Sequence, residues 1–103
     1  MRKIKIKTYV EAGHSLPGYQ TKDAAGCDLI NIGETIKLYP LDRAVINTGV
    51  HIQLPEGYEA QVRGRSGLNR DHGIVVPTGT IDADYRGEIR VVVYNLSREP
   101  YII

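Results

Sequence analysis

Residues 79–87 run Gly79-Thr80-Ile81-Asp82-Ala83-Asp84-Tyr85-Arg86-Gly87. They set two carboxylates, a tyrosine and an arginine between glycines, just ahead of an apolar segment, Glu88 to Tyr94. Carboxylates two apart on extended chain point the same way, because side chains alternate with period two. Like charges facing one way demand a compensating cation, ligand or turn. Asp82 or Asp84 suits a general base or a metal ligand, and Tyr85 offers a flat face and a hydroxyl to a sugar or a base. The plain structural alternative is an Asp-rich type I turn in which Arg86 pairs with a carboxylate.

Two further stretches carry chemical potential. Arg63-Gly64-Arg65-Ser66-Gly67-Leu68 leaves a strand pattern and enters a short helical one. Backbone N–H groups at a helix start, a hydroxyl and arginines suit a phosphate. The Walker spacing and its Lys-Ser/Thr pair are missing, so this is not a P-loop. Ser66 as a plain N-cap, with the arginines in surface ion pairs, explains the same residues. Ala24-Ala25-Gly26-Cys27-Asp28-Leu29 combines small residues, which permit close backbone approach, with a carboxylate; a turn with a solvated aspartate is the alternative. His14, His51 and His72 make no metal-ligand spacing, and His51 reads as an exposed residue of an alternating strand. Cys27 reads as a small packing residue rather than a nucleophile. As the only cysteine it excludes an intrachain disulfide and a paired-cysteine metal site.

The elements that must position these residues are short strands. Alternation and turn residues predict strands over Lys3 to Val10, Thr35 to Leu38, Arg43 to Thr48, Val50 to Leu54, Tyr58 to Val62, Ile74 to Val76 and Glu88 to Tyr94. Gly49 marks a kink or bulge, and Pro40-Leu41-Asp42 and Pro55-Glu56-Gly57 mark turns. Only Ser66 to Asp71 reads as helical, for little more than a turn. The last residues, Glu99 to Ile103, read as lying inside a strand. Short, turn-separated strands predict an all-β barrel or sandwich, and residues 1–103 read as one domain. With seven tyrosines but no tryptophan or phenylalanine, the core must come chiefly from Ile, Val and Leu. Partner subunits are then a natural source of further buried area.

Net charge is +1, which gives no general electrostatic case for nucleic-acid binding. Lys3, Lys5 and Lys7 alternate with Ile4 and Ile6 and read as the solvated face of an edge strand. No apolar run is long enough to span a membrane and no signal-peptide pattern opens the chain. The expected setting is cytoplasmic, or the host-cell cytoplasm for a virus-encoded protein.

Taken together, these residues resemble the trimeric deoxyuridine triphosphate nucleotidohydrolases (dUTPases). Ala25-Gly26-Cys27-Asp28-Leu29 is similar to that family's first motif, Arg65-Ser66-Gly67-Leu68 to its second, and Gly79 to Gly87 with Glu88-Ile89 to its third. Pro55 to Val62 is similar to the strand before the second motif. The resemblance implies a distorted jelly-roll (β-clip) barrel and a homotrimer with active sites at subunit interfaces. It also implies Mg²⁺-dependent cleavage of dUTP to dUMP and pyrophosphate. By the same resemblance, Asp82 contacts the sugar 3′-hydroxyl and orients or deprotonates the attacking water. Tyr85 packs under the deoxyribose, leaving no space for a 2′-hydroxyl. Arg65, Ser66 and Gly67 hold the phosphates, and Asp28 helps position the hydrated metal. Asp84 is expected to be structural, holding the turn or pairing with an arginine.

The chain departs from the family pattern in places. Ile74 to Thr78 is shorter than the familiar hairpin that reads uracil, and it lacks an asparagine. Val76, Pro77, Thr78 and Gly79 are the candidates for that task. Gly64 stands where proline is common, a change expected to alter only local stiffness. The family's Gly-Asp/Glu-Arg-Ile-Ala-Gln motif and glycine-rich tail are not among these residues, so the native chain is expected to extend further. Two other readings stay open. One is a dCTP deaminase relative with Glu88 as the catalytic glutamate; the other is a non-catalytic nucleotide-binding or regulatory homologue.

Overall fold

The computed structural model describes residues 3–103. It is all-β apart from one short helix. In chain order the strands are β1 (Lys7–Val10), β2 (Lys37–Leu38), β3 (Arg43–Asn47), β4 (Val50–Gln53) and β5 (Ala60–Val62), then helix α1 (Ser66–His72). They continue with β6 (Ile74–Val75), β7 (Gly79–Ile81), β8 (Arg90–Asn95) and β9 (Tyr101–Ile102). Every pairing is antiparallel: β1 with β4, β2 with β9, β5 with β7, and β8 between β3 and β6.

The strands are shorter than the alternation predicts, and their partners explain why. The expected strand from Lys3 begins only at Lys7, which faces Gln53. Past Gln53 the partner chain runs into Pro55, which has no N–H to give, and into the turn closed by Tyr58 N–H to Pro55 O (3.2 Å). Lys3 to Ile6 are therefore without a ladder and exposed, the isoleucines as well as the lysines. Thr48 leaves β3 early because its buried hydroxyl turns inward to donate to Ile89 O. Gly49 then takes φ +70°, where a Cβ would lie 2.6 Å from Ile32 Cδ1, so glycine is required. The helix is nearly two turns rather than one. It ends on Gly73 at φ +66°, whose N–H caps Asn69 O at 3.0 Å.

Strand β7 was not expected at all. Gly79-Thr80-Ile81 is short, glycine-led and rich in site-like residues, yet it pairs along β5: Val62 with Gly79, Gln61 with Thr80 and Ala60 with Ile81. Two apolar clusters result. Val50, Leu54, Ile81 and Ile89 pack beneath the start of the Asp82 segment, and Leu38, Ile46 and Val93 pack under the other end. Asn95 is fully buried between β8 and the final segment. It donates to Leu38 O and Glu99 O, both at 2.8 Å, and accepts from Ser97 N–H at 2.9 Å and Ser97 Oγ at 2.7 Å. That network folds the chain back so that Ile103 exchanges both backbone bonds with Ile36 (2.8 and 2.9 Å).

Between β1 and β2 the chain runs from Glu11 to Ile36 with no helix or strand. Connections of this length are uncommon unless functional. This one carries Asp28. Its bonds to the rest of the chain are Glu11 N–H to Gly49 O (3.0 Å), Ile32 N–H to Asn47 O (3.0 Å), the Asn31 amide to Ile103 O (3.4 Å) and the Ile36–Ile103 pair.

Candidate active site

Asp82 to Tyr85 form a β-turn closed by Tyr85 N–H to Asp82 O at 3.1 Å. The turn starts where β7 ends. Ile81 is buried and Ala83 packs on the same cluster, while Asp82 and Asp84 are exposed. Both acids face solvent, but a turn and not the alternation of extended chain places them there. Arg86 does not pair with either: its Nη1 donates to Ala83 O (2.6 Å) and Tyr85 O (3.1 Å). A backbone carbonyl lies closer along the turn than a solvated carboxylate, so the arginine braces the turn instead. Among the described residues neither Asp82 nor Asp84 takes part in a salt bridge. The Asp82 carboxylate is thus left available, and of the two roles expected for Asp84, holding the turn or pairing with an arginine, the pairing does not form.

The Tyr85 ring folds back over Gly87. Its hydroxyl donates to Glu88 O (2.7 Å), and a Cβ on Gly87 would lie 2.5 Å from that oxygen. Tyr85 remains 43% exposed. Glu88 lies before β8 rather than in it. Its carboxylate accepts the Gly49 N–H at 2.9 Å and approaches Arg90 Nε at 3.8 Å, with its side chain only 19% exposed.

The other candidates gather elsewhere. Asp28 and Arg65 line two adjoining clefts of about 220 and 580 Å³. Arg63 and Gln61 line both as well, and Val76 closes the smaller. Arg65 is the helix N-cap residue, in extended backbone and without a side-chain cap bond, so Ser66 is the first helical residue and not the cap. Arg65 O already takes the N–H groups of Leu68 (3.1 Å) and Asn69 (3.5 Å). Ser66 and Gly67 hold the first N–H groups of the helix, which have no intrahelical acceptor.

Alternation sets Glu59, Gln61 and Arg63 on the opposite face from Tyr58, Ala60 and Val62, and there they form a polar ladder. Gln61 donates to Glu59 Oε1 (2.8 Å), and Arg63 donates through Nε and Nη2 to Gln61 Oε1 (3.2 and 2.6 Å). Gly64 does more than change stiffness: a Cβ there would lie 3.1 Å from Val76 Cβ and 3.4 Å from Val76 N. The glycine and the short 74–78 connection are in contact, and each makes room for the other. Val76, Thr78 and Gly79 therefore lie toward the Arg65 end of the β5–β7 ladder, Gly79 directly opposite Val62.

Asp82 and Tyr85 lie at the other end. The register puts Ile81 opposite Ala60, so the turn starts level with Glu59, while Arg65 leaves beyond Val62. The described clefts that hold Asp28 and Arg65 include neither Asp82 nor Tyr85. Within one chain the sequence-predicted site is thus two half-sites.

Cys27 is exposed rather than packed, because the 11–36 segment lies on the surface. It still borders the smaller cleft. A hydrogen bond with its side chain raises the Tyr19 hydroxyl above the usual tyrosine range. Asp71 is held below the ordinary carboxylate range by its bond from Arg70, 2.9 Å away and itself raised by the same bond. Both are exposed, and their side chains lie beside Gly67, 3.8 Å from where its Cβ would be. His51 is half-buried, contrary to expectation, with Nδ1 2.9 Å from Arg86 O.

A family model described as dUTPase matches residues 13–103. The chain is 49% identical over 106 residues to the deoxyuridine 5'-triphosphate nucleotidohydrolase of Fusobacterium nucleatum, spanning 100% of this chain and 73% of that protein. The chain belongs to the dUTPase family. The corresponding protein of Chlamydia trachomatis is 50% identical over 103 residues, spanning 97% of this chain and 71% of that one. Among solved structures, the dUTPase from phage phi11 of S. aureus superposes with a TM-score of 0.84 at 32% identity, over 91% of this chain and 61% of that one. The Staphylococcus bacteriophage 80alpha dUTPase with dUPNHPP gives 0.83 at 32%, over 91% of this chain and 56% of that one. The all-β, jelly-roll type of fold is thus that of dUTPases. This dUTPase chain spans about three fifths of the length of those solved phage proteins.

Proposed function

We propose that this chain carries out dUTPase chemistry, hydrolysing dUTP to dUMP and pyrophosphate with Mg²⁺, with Asp82 orienting and activating the attacking water. The observation that carries this reading is the Asp82–Tyr85 turn. It presents an unpaired carboxylate and a partly exposed tyrosine on a backbone braced from within. A base must be held in place and yet be free of partners to take a proton from water. Tyr85 gives the sugar a flat, oriented floor. Arg65, with the Ser66 and Gly67 N–H groups, supplies phosphate donors, and phosphoryl transfer depends mainly on such positioning and charge neutralisation. The names of the relatives, and the dUPNHPP bound by the 80alpha phage protein, support dUTP as substrate.

The donor set fits Mg²⁺. No cluster of three or more His, Cys, Asp or Glu side chains able to hold a metal exists among the described residues. Mg²⁺ needs none: it keeps several waters and is held by one or two carboxylates together with substrate phosphates. Asp28, beside Arg65 in the larger cleft, is the carboxylate suited to that role. When bound, the ion neutralises charge on the phosphates. A phage phi11 dUTPase mutant is described with a structural Mg(II) ion.

Because the half-sites sit at opposite ends of the β5–β7 ladder, we infer that each complete site joins Asp82 and Tyr85 of one chain to Asp28, Arg65, Ser66 and Gly67 of another, in a homotrimer. Val76, Thr78 and Gly79 are the proposed base contacts. The deaminase reading is weakened, since the Glu88 carboxylate is already engaged by the Gly49 N–H and lies near Arg90. Incubation with Mg²⁺ and dUTP, dCTP, dTTP or UTP tests the assignment. Pyrophosphate is expected from dUTP, and Asp82→Asn is expected to lower that rate by about 10²- to 10⁴-fold. Full activity in Asp82→Asn would remove Asp82 as the base. Deamination of dCTP, or tight dUTP binding without turnover, would replace the whole reading.

A further inference from the structure

The catalytic turn is exposed along Asp82, Asp84, Tyr85 and Arg86, so its aim depends on what grips the backbone. At its exit the grip is dense. Ile89 N–H donates to Val50 O at 2.8 Å, Thr48 donates to Ile89 O, and Gly49 N–H donates to the Glu88 carboxylate. Within residues 82–88 the bonds are internal: Tyr85 N–H to Asp82 O, Arg86 to Ala83 O and Tyr85 O, and the Tyr85 hydroxyl to Glu88 O. Internal bonds fix the shape of the turn but not its direction. Among the described residues, one side chain from outside reaches the backbone of 82–87: His51, on β4, with Nδ1 2.9 Å from Arg86 O.

A carbonyl oxygen only accepts, so Nδ1 is the protonated nitrogen whether the ring is neutral or charged. The rest of the ring is held too. Nε2 faces Glu11 Oε2 at 3.9 Å, and the ring leans on Tyr9 with centroids 5.5 Å apart and planes at 55°. With its side chain 30% exposed, His51 is oriented by β1 and its flank on one side and delivers a single donor on the other.

We propose that His51 is a positioning residue for the catalytic turn: its Nδ1–H fixes the Arg86 carbonyl and thereby the aim of Asp82, while the Tyr85 ring keeps its own bond to Glu88 O. The inference rests on the function proposed above and adds a residue remote from the substrate. Phosphate contacts lie at the other half-site, so loss of the donor acts on turnover more than on binding.

Asparagine carries Nδ2 where histidine carries Nδ1, whereas the glutamine amide lies one bond further out. His51→Ala and His51→Gln are therefore expected to lower kcat by about five- to tenfold with KM within about twofold of wild type. His51→Asn restores most of the rate. Its pH–rate profile keeps the wild-type shape, because the ring works as a donor and not as a titrating acid or base. Amide hydrogen exchange over 82–87 is expected to speed up in the Ala and Gln variants but not in Asn. Unchanged kcat in His51→Ala, equal loss in Asn and Ala, or a missing limb in the Asn pH profile would overturn the proposal. If the wild type turns over no dUTP, the functional reading falls and the exchange pattern alone decides for or against the clamp.

Discussion

Gly87 and Tyr85 share one volume. A Cβ at 87 would lie 2.5 Å from the tyrosine oxygen and 2.6 Å from Cζ, so the ring keeps its place only because residue 87 has no side chain. Gly87→Ala is expected to push the ring off its bond to Glu88 O. In steady-state assays it should raise KM for dUTP by about tenfold and narrow the preference for dUTP over UTP, since the sugar floor moves. An unchanged preference would detach Tyr85 from sugar selection. At this scale the sequence was informative where chemistry-bearing residues sit close together: the exposed aspartates and Tyr85 were legible as a cluster, though a turn and not extended chain presents them. It misled on His51, read as exposed, and on the alternative that paired Arg86 with a carboxylate, since the partners of both are backbone atoms. A carbonyl has no signature in the sequence, and which one a side chain meets depends on register between strands far apart.

The elements were legible in kind and less so in extent. Hydrophobic alternation located most strands, but where each stops depends on the partner: Pro55 ends the partner of β1, and Thr48 ends β3 by bonding inward. Strand β7 was hidden because its three residues open on glycine and run straight into the site. The Pro40-Leu41-Asp42 turn was legible, but not its strain. Leu41 takes φ +68° while 82% exposed, held by Leu41 N–H to Asn95 O at 2.7 Å. A leucine there costs about 1–2 kcal/mol in left-handed backbone. It returns little by burial. Leu41→Asn, which tolerates that region and keeps the N–H, should therefore raise stability by about 0.5–1 kcal/mol in chemical denaturation. A loss of stability would mean that the leucine makes contacts the isolated chain does not show.

For the molecule as a whole, the surface is the telling quantity. The chain exposes 7901 Å², whereas a compact monomer of 11.5 kDa exposes about 5,800 Å². Its radius of gyration of 14.6 Å also exceeds the roughly 13 Å of a closed globule of this length. Tyr9, Leu16, Tyr19, Ile30 and Val45 are all at least half exposed. Such a shape suits subunits that complete one another. Mixing Arg65→Ala chains with Asp82→Asn chains, each inactive alone, is expected to restore about one quarter of wild-type activity if every site takes one residue from each of two subunits and assembly is random. No recovery on mixing, with trimers verified by analytical ultracentrifugation, would place both residues in one subunit's site.

The pairing pattern carries a consequence for how this chain reaches its fold. Among the described strands no two consecutive ones pair: β1 waits for β4, β2 for β9, β3 for β8 and β5 for β7. There is no hairpin to form early and serve as a template. On the ribosome, β2 emerges at Lys37–Leu38 but its partner is Tyr101–Ile102, so that strand stays single until nearly all of these residues have been made. Loop closure must come before reward at every step, which places the chain among slow, topology-limited folders whose unpaired edges are exposed meanwhile. The lysines that alternate with isoleucines at the start of the chain suit that interval, since charged residues on an unpaired segment discourage edge-to-edge association before a proper partner exists.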